Sequence, residues 1–304
     1  MNAILNILKP AGMTSHDVVA FTRKKLPGIK IGHTGTLDPA AAGVLPVCLG
    51  KATRISSYLL RGKKAYRGEI TLGITTDTLD GEGEIHSIHT VPELYIDAIK
   101  NILSNYIGEI NQTPPAYSAV HYQGKKLYKW AHEGSTIDSP SRKINIFQLK
   151  LVEYFKSKFS RLILDIECSH GTYIRTLAQQ IGEEIGSGAH LSFLVRTKVE
   201  NFNLEESVTL EKLDNAVAKQ NIDKLLYPMD YALQELDWVK IVNEAIPYLA
   251  SGNYLFKSQV VCDKKYTADE KLWRIYDHKN NFWGIGQWEI TSQGLMFKPQ
   301  KILR

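Results

Sequence analysis

Gly32-His33-Thr34-Gly35-Thr36-Leu37-Asp38-Pro39-Ala40-Ala41-Ala42-Gly43-Val44-Leu45-Pro46-Val47-Cys48-Leu49-Gly50-Lys51-Ala52-Thr53-Arg54 is the stretch around which this chain is read. Small residues dominate it, and a single carboxylate, Asp38, stands among them. Glycine enters backbone conformations that a Cβ forbids, so Gly32, Gly35 and Gly43 predict a tight loop of particular shape. Pro39 biases Asp38 toward extended backbone. Taken residue by residue, the segment reads as a turn in which Asp38 caps a helix before Pro39.

Outward from this loop, the pattern alternates between strands and helices. Residues 4–8 predict a short apolar strand, ended by Lys9-Pro10-Ala11-Gly12. Thr14 or Ser15 then caps a helix with Val18, Phe21 and Leu26 on one face. Beyond the loop, AYRGEITLGITTDTLDGEGE (65–84) places Ile70 and Leu72 in alternation with polar residues, as on a half-buried strand that Tyr66 precedes. Asp77, Asp80, Glu82 and Glu84 lack the spacing of a calcium loop, so no metal is expected there. Residues 92–106 predict an amphipathic helix with Pro92 in its first turn and Leu94, Ala98, Ile99, Ile102, Leu103 and Tyr106 as its stripe.

After Thr113-Pro114-Pro115 comes AYSAVHYQGKKLYKWAHEG (116–134), in which Lys125, Lys126 and Lys129 interleave with Tyr122, Tyr128 and Trp130. Ammonium groups that meet phosphates and rings that meet unstacked bases suit RNA. The same mix also suits a solvated helix that packs on its rings. Leu162, Leu164, Ile166 and Cys168 share one side of an alternating strand. Ser169-His170-Gly171-Thr172 then turns the chain into a helix with Ile174, Leu177, Ala178, Ile181 and Ile185 buried. Arg175 falls in that helix's first turn, where the dipole disfavours a cation unless a carboxylate compensates. From Trp238 the character changes: short strand patterns at 258–262, 272–276, 282–288 and 294–298 predict a small β-barrel.

Composition narrows the classes. The chain has 304 residues, 43% hydrophobic and 23% charged, enough for one large and one small domain or for two medium ones. It contains no apolar run of membrane-spanning length and no pattern of a secretory leader, so a cytoplasmic protein is expected. Three scattered cysteines, Cys48, Cys168 and Cys262, match neither a disulfide framework nor paired zinc ligands. A net charge of +5 permits a polyanionic partner without requiring one.

HTGTLDPAAAGVLPVCLGKATR resembles the catalytic motif of the TruB-type pseudouridine synthases, and the likeness is long and nearly continuous. KPAGMTSHDVV, KKAYRG, GTYIRT and the segment from Gly188 to Thr197 are similar to further motifs of that family. The resemblance implies an α+β fold: a catalytic domain with a central mixed, largely antiparallel sheet flanked by helices over 1–235, and a small C-terminal PUA-like β-barrel over 236–304. It also implies an RNA-binding thumb insertion at about 116–140. By the same match Asp38 is the catalytic residue, Arg175 pairs with it, and Tyr66 lies against the target base. Tyr173 lies nearby, Leu194 walls the base pocket, and His33 occupies the space the base vacates. Lys125, Lys126 and Lys129 belong to the thumb that clamps the tRNA arm. Val195 stands where the family often has a second Arg, so no chemistry is expected of it.

The implied activity is isomerisation of uridine 55 in the TΨC loop of tRNA to pseudouridine, with tRNA as partner. No metal, other cofactor, membrane or obligatory protein partner is implied, and a monomer is expected. Breaking the glycosidic bond and rejoining uracil through C5 changes no oxidation state, so one ionised carboxylate suffices. That carboxylate can attack the ribose C1′, attack C6 of the base, or take a proton from C2′. The uridine must leave its stack to reach it. Within the class, a guide-RNA-dependent pseudouridylase is the alternative, disfavoured by the insert and the small C-terminal domain. A non-catalytic RNA chaperone would not require Asp38, Tyr66 and Arg175 together. A glycosidase usually needs two working carboxylates.

Overall fold

The computed structural model describes residues 1–118, 120–133, 139–264 and 271–304. Of the expected thumb, 119 and 134–138 lie outside the described residues, as do 265–270 of the expected barrel.

The first elements follow from simple patterning. Strand β1 (Ala3–Lys9) is buried along nearly its whole length. Helix α1 (Ser15–Lys25) begins at a capping box: the Thr14 hydroxyl accepts from the Asp17 amide at 3.1 Å, and the Asp17 carboxylate accepts from the Thr14 amide at 2.8 Å. Two strands bracket the Gly-rich loop, β2 (Ile31–His33) before it and β3 (Ala42–Leu49) after it. No helix follows Pro39, contrary to the capping reading of Asp38, because β-branched Val44 and Val47 and buried Leu45 and Leu49 complete a strand instead. Helix α2 (Ser56–Leu60) leads into β4 (Lys64–Leu72), then the hairpin β5 (Ile74–Thr76) and β6 (Ile85–Ile88).

Helix α3 (Ile96–Ser104) starts four residues later than Pro92. Residues 91–95 run outside any helix, Leu94 packs against the core from this lead-in, and Ala98 faces solvent. The buried stripe is therefore Ile99 and Leu103, flanked by Ile102 and Tyr106. Strand β7 (Gly108–Gln112) follows, then a small hairpin of β8 (His121–Tyr122) and β9 (Lys125–Lys126), and helix α4 (Leu127–His132). Strands β10 (Arg142–Phe155) and β11 (Arg161–Cys168) run antiparallel. In β11 the expected residues Leu162, Leu164, Ile166 and Cys168 are the buried ones. Helix α5 (Ile174–Ile185) ends at Gly186, whose φ of 82° is the left-handed conformation that terminates helices. Strand β12 (Ala189–Val199), β13 (Phe202–Asn203), α6 (Leu210–Ala218) and β14 (Leu226–Tyr227) complete this part.

These strands form one ten-stranded sheet in the order β14-β1-β3-β12-β4-β11-β10-β7, with β2 added to β3 and β13 to β12. Its pairings are antiparallel except that β12 meets β3 in parallel, Val195 opposite Ala42 and Arg196 opposite Gly43. A sheet built this way is mixed and largely antiparallel, as expected. Helices α3 and α5 cover the face of β4, β10 and β11, while α1 and α6 pack on β1 and β3. The opposite face of β4 and β11 is solvated and laced by ion pairs, Arg67 with Asp165 at 2.7 Å and Arg161 with Glu69 at 3.2 Å.

The C-terminal part contains a second, six-stranded sheet that is nearly a closed barrel. Its strands are β15 (Asp237–Ile241), β16 (Leu255–Phe256), β17 (Val260–Val261), β18 (Leu272–Tyr276), β19 (Phe282–Thr291) and β20 (Gly294–Ile302). Three of the four expected strands appear at their places, two of them longer. The strand expected at 258–262 shrinks to Val260–Val261, because residues 257–259 make a tight turn in which the Gln259 side chain accepts from the Phe256 amide at 2.8 Å. Trp273, Trp283, Trp288 and Phe297 fill the core of this unit. It seats on the segment that follows β3: Ile55 is buried with Leu233, Ile285 and Leu303, and Arg54 donates to the Ile302 carbonyl at 2.7 Å.

Candidate active site

The loop between β2 and β3 is tied down on every side before its carboxylate is considered. The Thr34 amide donates to the Pro46 carbonyl at 3.1 Å. The Leu37 amide donates to the Ser15 hydroxyl at 2.8 Å. The Pro39 carbonyl accepts from the Gly12 amide at 2.9 Å and from Lys9 Nζ at 3.0 Å. Lys9 is itself wholly buried and also donates to the Pro10 and Met13 carbonyls. Burial pushes its pKa down, and Asp38 opposes that shift. Asp38 therefore sits in a loop that is fixed rather than mobile, with its own carbonyl closing a turn to the Ala41 amide at 3.1 Å.

Asp38 faces a cleft of about 890 Å³. Its side chain is 42% exposed, and its Oδ2 lies 3.0 Å from Arg175 Nε. Arg175, only 6% exposed, comes from the first turn of α5. Its guanidinium does not form the two-pronged pair with one carboxylate that a planar fork permits. Nη1 donates to the Thr78 carbonyl at 3.0 Å and lies 3.4 Å from Asp80 Oδ2, and Nη2 donates to the Tyr117 carbonyl at 2.9 Å. One arginine thus joins the Asp38 loop, the β5–β6 turn and the segment that follows Pro115. Burial raises the Asp38 carboxyl pKa above its ordinary value and Asp80 adds to the rise, while Arg175 and Lys9 pull against it. Arg175 offsets a shift that the cleft itself imposes.

Tyr66, on β4, lines the same cleft at 8% exposure, and burial pushes its phenol up to about 12. Leu194 on β12 stands opposite Gly68 and forms another wall. A side chain at Gly68 would crowd this wall, since a Cβ there would sit 3.3 Å from Leu191 and 3.5 Å from Leu194. Tyr173 precedes α5 and also lines the cleft, its backbone held by Gln112 through bonds of 2.7 and 3.1 Å. Asp38, Tyr66, Arg175, Tyr173 and Leu194, far apart in sequence, therefore converge.

The other expected residues do not join them. His33 lies on β2, half-buried, outside the cleft lining, and its Nδ1 accepts from the Gly35 amide at 3.3 Å. Burial lowers its pKa, which favours the neutral ring. Lys125, Lys126 and Lys129 sit on the β8–β9 hairpin and α4, above a rim to which Tyr117, Ser118, Val120 and Tyr128 contribute. Lys125 is not a free cation: it pairs with Glu133 and lies 4.5 Å from the Trp130 ring. Lys126 lies 5.9 Å from the Tyr128 ring, and Lys129 is exposed.

Five charged residues at the site lie outside the sequence-based expectation: Lys9, Lys64, Asp80, Glu82 and Arg196. Lys9 and Arg196 carry a legible signal, a charge at the inward phase of an apolar strand, two residues from Ile7 and from Leu194. Asp80 reads in the sequence only as a rejected metal ligand. Among the described residues, no cluster of His, Cys, Asp and Glu suited to a metal ion occurs.

Comparison with known proteins gives the same frame. Residues 23–174 match the family model described as the TruB family pseudouridylate synthase N-terminal domain. Residues 175–234 match the tRNA pseudouridylate synthase B C-terminal domain. The chain is 47% identical over 261 residues to the tRNA pseudouridine synthase B of Alkaliphilus oremlandii, covering 86% of this chain and 85% of that one. It is 40% identical over 303 residues to that of Caldanaerobacter subterraneus subsp. tengcongensis, covering 99% of both. Among solved structures, a chain of a Cbf5–Nop10–Gar1 complex is similar with a TM-score of 0.76 and 28% identity, over 99% of this chain and 85% of that one. A chain of an H/ACA ribonucleoprotein bound to a substrate RNA is similar with a TM-score of 0.75 and 26% identity, over the same shares.

Proposed function

The chain belongs to the TruB family of pseudouridylate synthases, and from that premise we propose that it converts uridine 55 in the TΨC loop of tRNA to pseudouridine as a stand-alone enzyme. The Asp38 carboxylate, braced by Arg175 at 3.0 Å in a cleft walled by Tyr66 and Leu194, carries the proposal. Asp38 is the catalyst, Arg175 keeps it ionised and aimed, and Tyr66 stacks on the uracil. Leu194 and Tyr173 line the base pocket. The uridine flips out of the T-loop to reach Asp38, since a base still stacked cannot enter a cleft of this kind. His33, beside the cleft rather than in it, serves the vacated space in the RNA. No cofactor takes part.

The division of labour follows the two sheets. Residues 1–235 form the catalytic domain, with an insertion at about 116–140 that grips the T-arm through Lys126 and Lys129, and Lys125 with them. Residues 236–304 form a PUA-like RNA-binding domain. The enzyme acts as a monomer in the cytoplasm without an obligatory protein partner. Support comes from the relatives named tRNA pseudouridine synthase B, which match at 40–47% identity, against 26–28% for the chains of H/ACA-type complexes. No helix is long and apolar enough to cross a membrane among the described residues.

Purified protein incubated with an unmodified T-arm stem-loop, followed by chemical mapping of pseudouridine, tests this. Pseudouridine at the position equivalent to 55, with nothing added, is the expected result. Isomerisation that needs a guide RNA or a protein partner would replace it with the guide-dependent alternative.

A further inference from the structure

Arg196 is 1% exposed, among the largest fully buried side chains of the molecule. A buried cation is costly unless its donors are filled. Among the described residues no carboxylate pairs with it, and burial works against its charge. Its donors go elsewhere. Nε donates to the Val44 carbonyl at 2.8 Å, Nη2 to the Gly35 carbonyl at 3.3 Å and Nη1 to the Thr36 carbonyl at 3.5 Å. The guanidinium also interacts with the Tyr66 hydroxyl, each favouring the charged form of the other. Gly35 and Thr36 precede Asp38 in the loop, and Val44 follows it.

The backbone shows how Arg196 comes to lie there. It stands on β12, opposite Gly43 in the parallel pairing with β3. At Gly43, with φ of 118°, a Cβ would fall 2.2 Å from the Arg196 carbonyl oxygen and 2.6 Å from its nitrogen. No side chain fits between these strands, so the backbones touch and the arginine projects beneath the loop. At Gly35 a Cβ would lie 3.6 Å from Nη1, within ordinary contact.

We propose that Arg196 is a positioning residue for the reaction, a buried clamp that holds both limbs of the Asp38 loop and the Tyr66 hydroxyl in one node, so that carboxylate and ring are aimed as a unit. It borders the cleft but is 1% exposed, so it acts through the loop and Tyr66 rather than on the substrate. A planar fork with five donors can reach acceptors on both limbs and on Tyr66 at once. A lysine, with three donors around one point, cannot. Loss of the fork leaves the RNA-binding surfaces intact and lets Asp38 drift, and a drift of about 1 Å costs on the order of a hundredfold in rate. The inference rests on the proposed pseudouridine synthase activity.

The test is Arg196→Lys, with Arg196→Gln and a citrulline at 196 as companions, each alone and combined with Tyr66→Phe. Three quantities are read for each: single-turnover pseudouridine formation on a T-arm stem-loop at saturating enzyme, affinity for that RNA, and thermal midpoint. The expected result is a folded protein whose RNA affinity stays within about threefold while its rate falls by about 30- to 100-fold. Tyr66→Phe should then cost a smaller factor in the Arg196→Lys background than in wild type, because the shared node is already broken. Wild type that forms no pseudouridine refutes the activity itself. With wild type active, any of four results overturns the clamp: a folded variant within threefold of the wild-type rate, a parallel loss of rate and affinity, strictly multiplicative effects of the two substitutions, or failure of all three variants to fold.

Discussion

Arg175 Nε lies 3.0 Å from Asp38 Oδ2 while its Nη1 lies 3.4 Å from Asp80 Oδ2, so one guanidinium is shared by two carboxylates from separate segments. With Thr78 and Tyr117 carbonyls on the remaining donors, every edge of the arginine is used. The pair is therefore directional. Asp38 meets one N–H of a group whose orientation is set by Asp80, Thr78 and Tyr117.

Arg175→Lys should be far from conservative for that reason. An ammonium keeps the charge but cannot reach Asp38, Thr78 and Tyr117 with the same geometry. The expected outcome is a fall of about a hundredfold in single-turnover rate, with little change in RNA affinity. Quench-flow kinetics on a T-arm stem-loop, alongside an affinity measurement, checks it. A rate within about twofold of wild type would place Arg175 outside the site.

In the proposed reaction Asp38 acts as the carboxylate, and burial raises its pKa, with Asp80 adding to the rise. Activity should then fall on acidification with a midpoint above the ordinary carboxylate value of about 3.9. The acid limb of kcat/KM, which reports the free enzyme, is the quantity to measure. Asp80→Asn removes the like charge, so the limb should move to lower pH even as the loosened Arg175 lowers the plateau rate. Asp38→Asn should abolish turnover at every pH and leave RNA binding largely intact.

Much of this site is legible in the sequence because its residues lie in one motif or at one strand phase. Asp38 stands in a Gly-rich run, Arg175 at a helix start where a cation needs a partner, and Leu162 to Cys168 in clean alternation. What is not legible depends on distant backbone. The inward phase of Arg196 shows in the sequence, but its partner Val44, 152 residues away, does not, because the parallel seam between β3 and β12 has no local signal. Asp80 gains its role only because the β5–β6 turn folds back onto β12, where Asp80 bridges Leu191. In the barrel, two-residue strands such as Leu255–Phe256 are created by pairing with β20, which propensity cannot foresee.

The insert should contribute to RNA affinity unequally. Lys126 and Lys129 present charge, whereas Lys125 is engaged by Glu133 and Trp130. Replacing Lys126 and Lys129 together by Ala should flatten the log–log salt dependence of binding by about one to two units, near 0.9 for each phosphate no longer neutralised. Lys125→Ala should change the slope less. Titrations at several salt concentrations decide this, and an unchanged slope for the double variant would make the insert a packing element.

Asp277 ties together the turn between β18 and β19 and predicts how that unit responds to acid. Its side chain is buried and accepts from the Lys279 and Asn281 amides at 2.9 Å each, from Asn281 Nδ2 at 2.9 Å and from Trp283 Nε1 at 3.1 Å. Arg304 Nη1 lies 3.6 Å away. Burial alone would raise its pKa, but the bonds from Asn281 and Trp283 outweigh it and hold the carboxyl well below the usual range. A carboxyl whose pKa is lower folded than unfolded adds stability that is complete above the unfolded value, about 3.9, and is lost as pH falls toward the folded value. Asp277→Ala leaves several donors unmatched, each worth about 1–3 kcal/mol if it stays dry. The thermal midpoint at pH 7 should therefore drop by several degrees. The gap from wild type should narrow only below about pH 4, where the wild-type carboxylate begins to lose its advantage. Calorimetry across pH 3 to 8 measures both effects, and a gap that is constant through the acid range would show that the hairpin does not depend on the charge of Asp277.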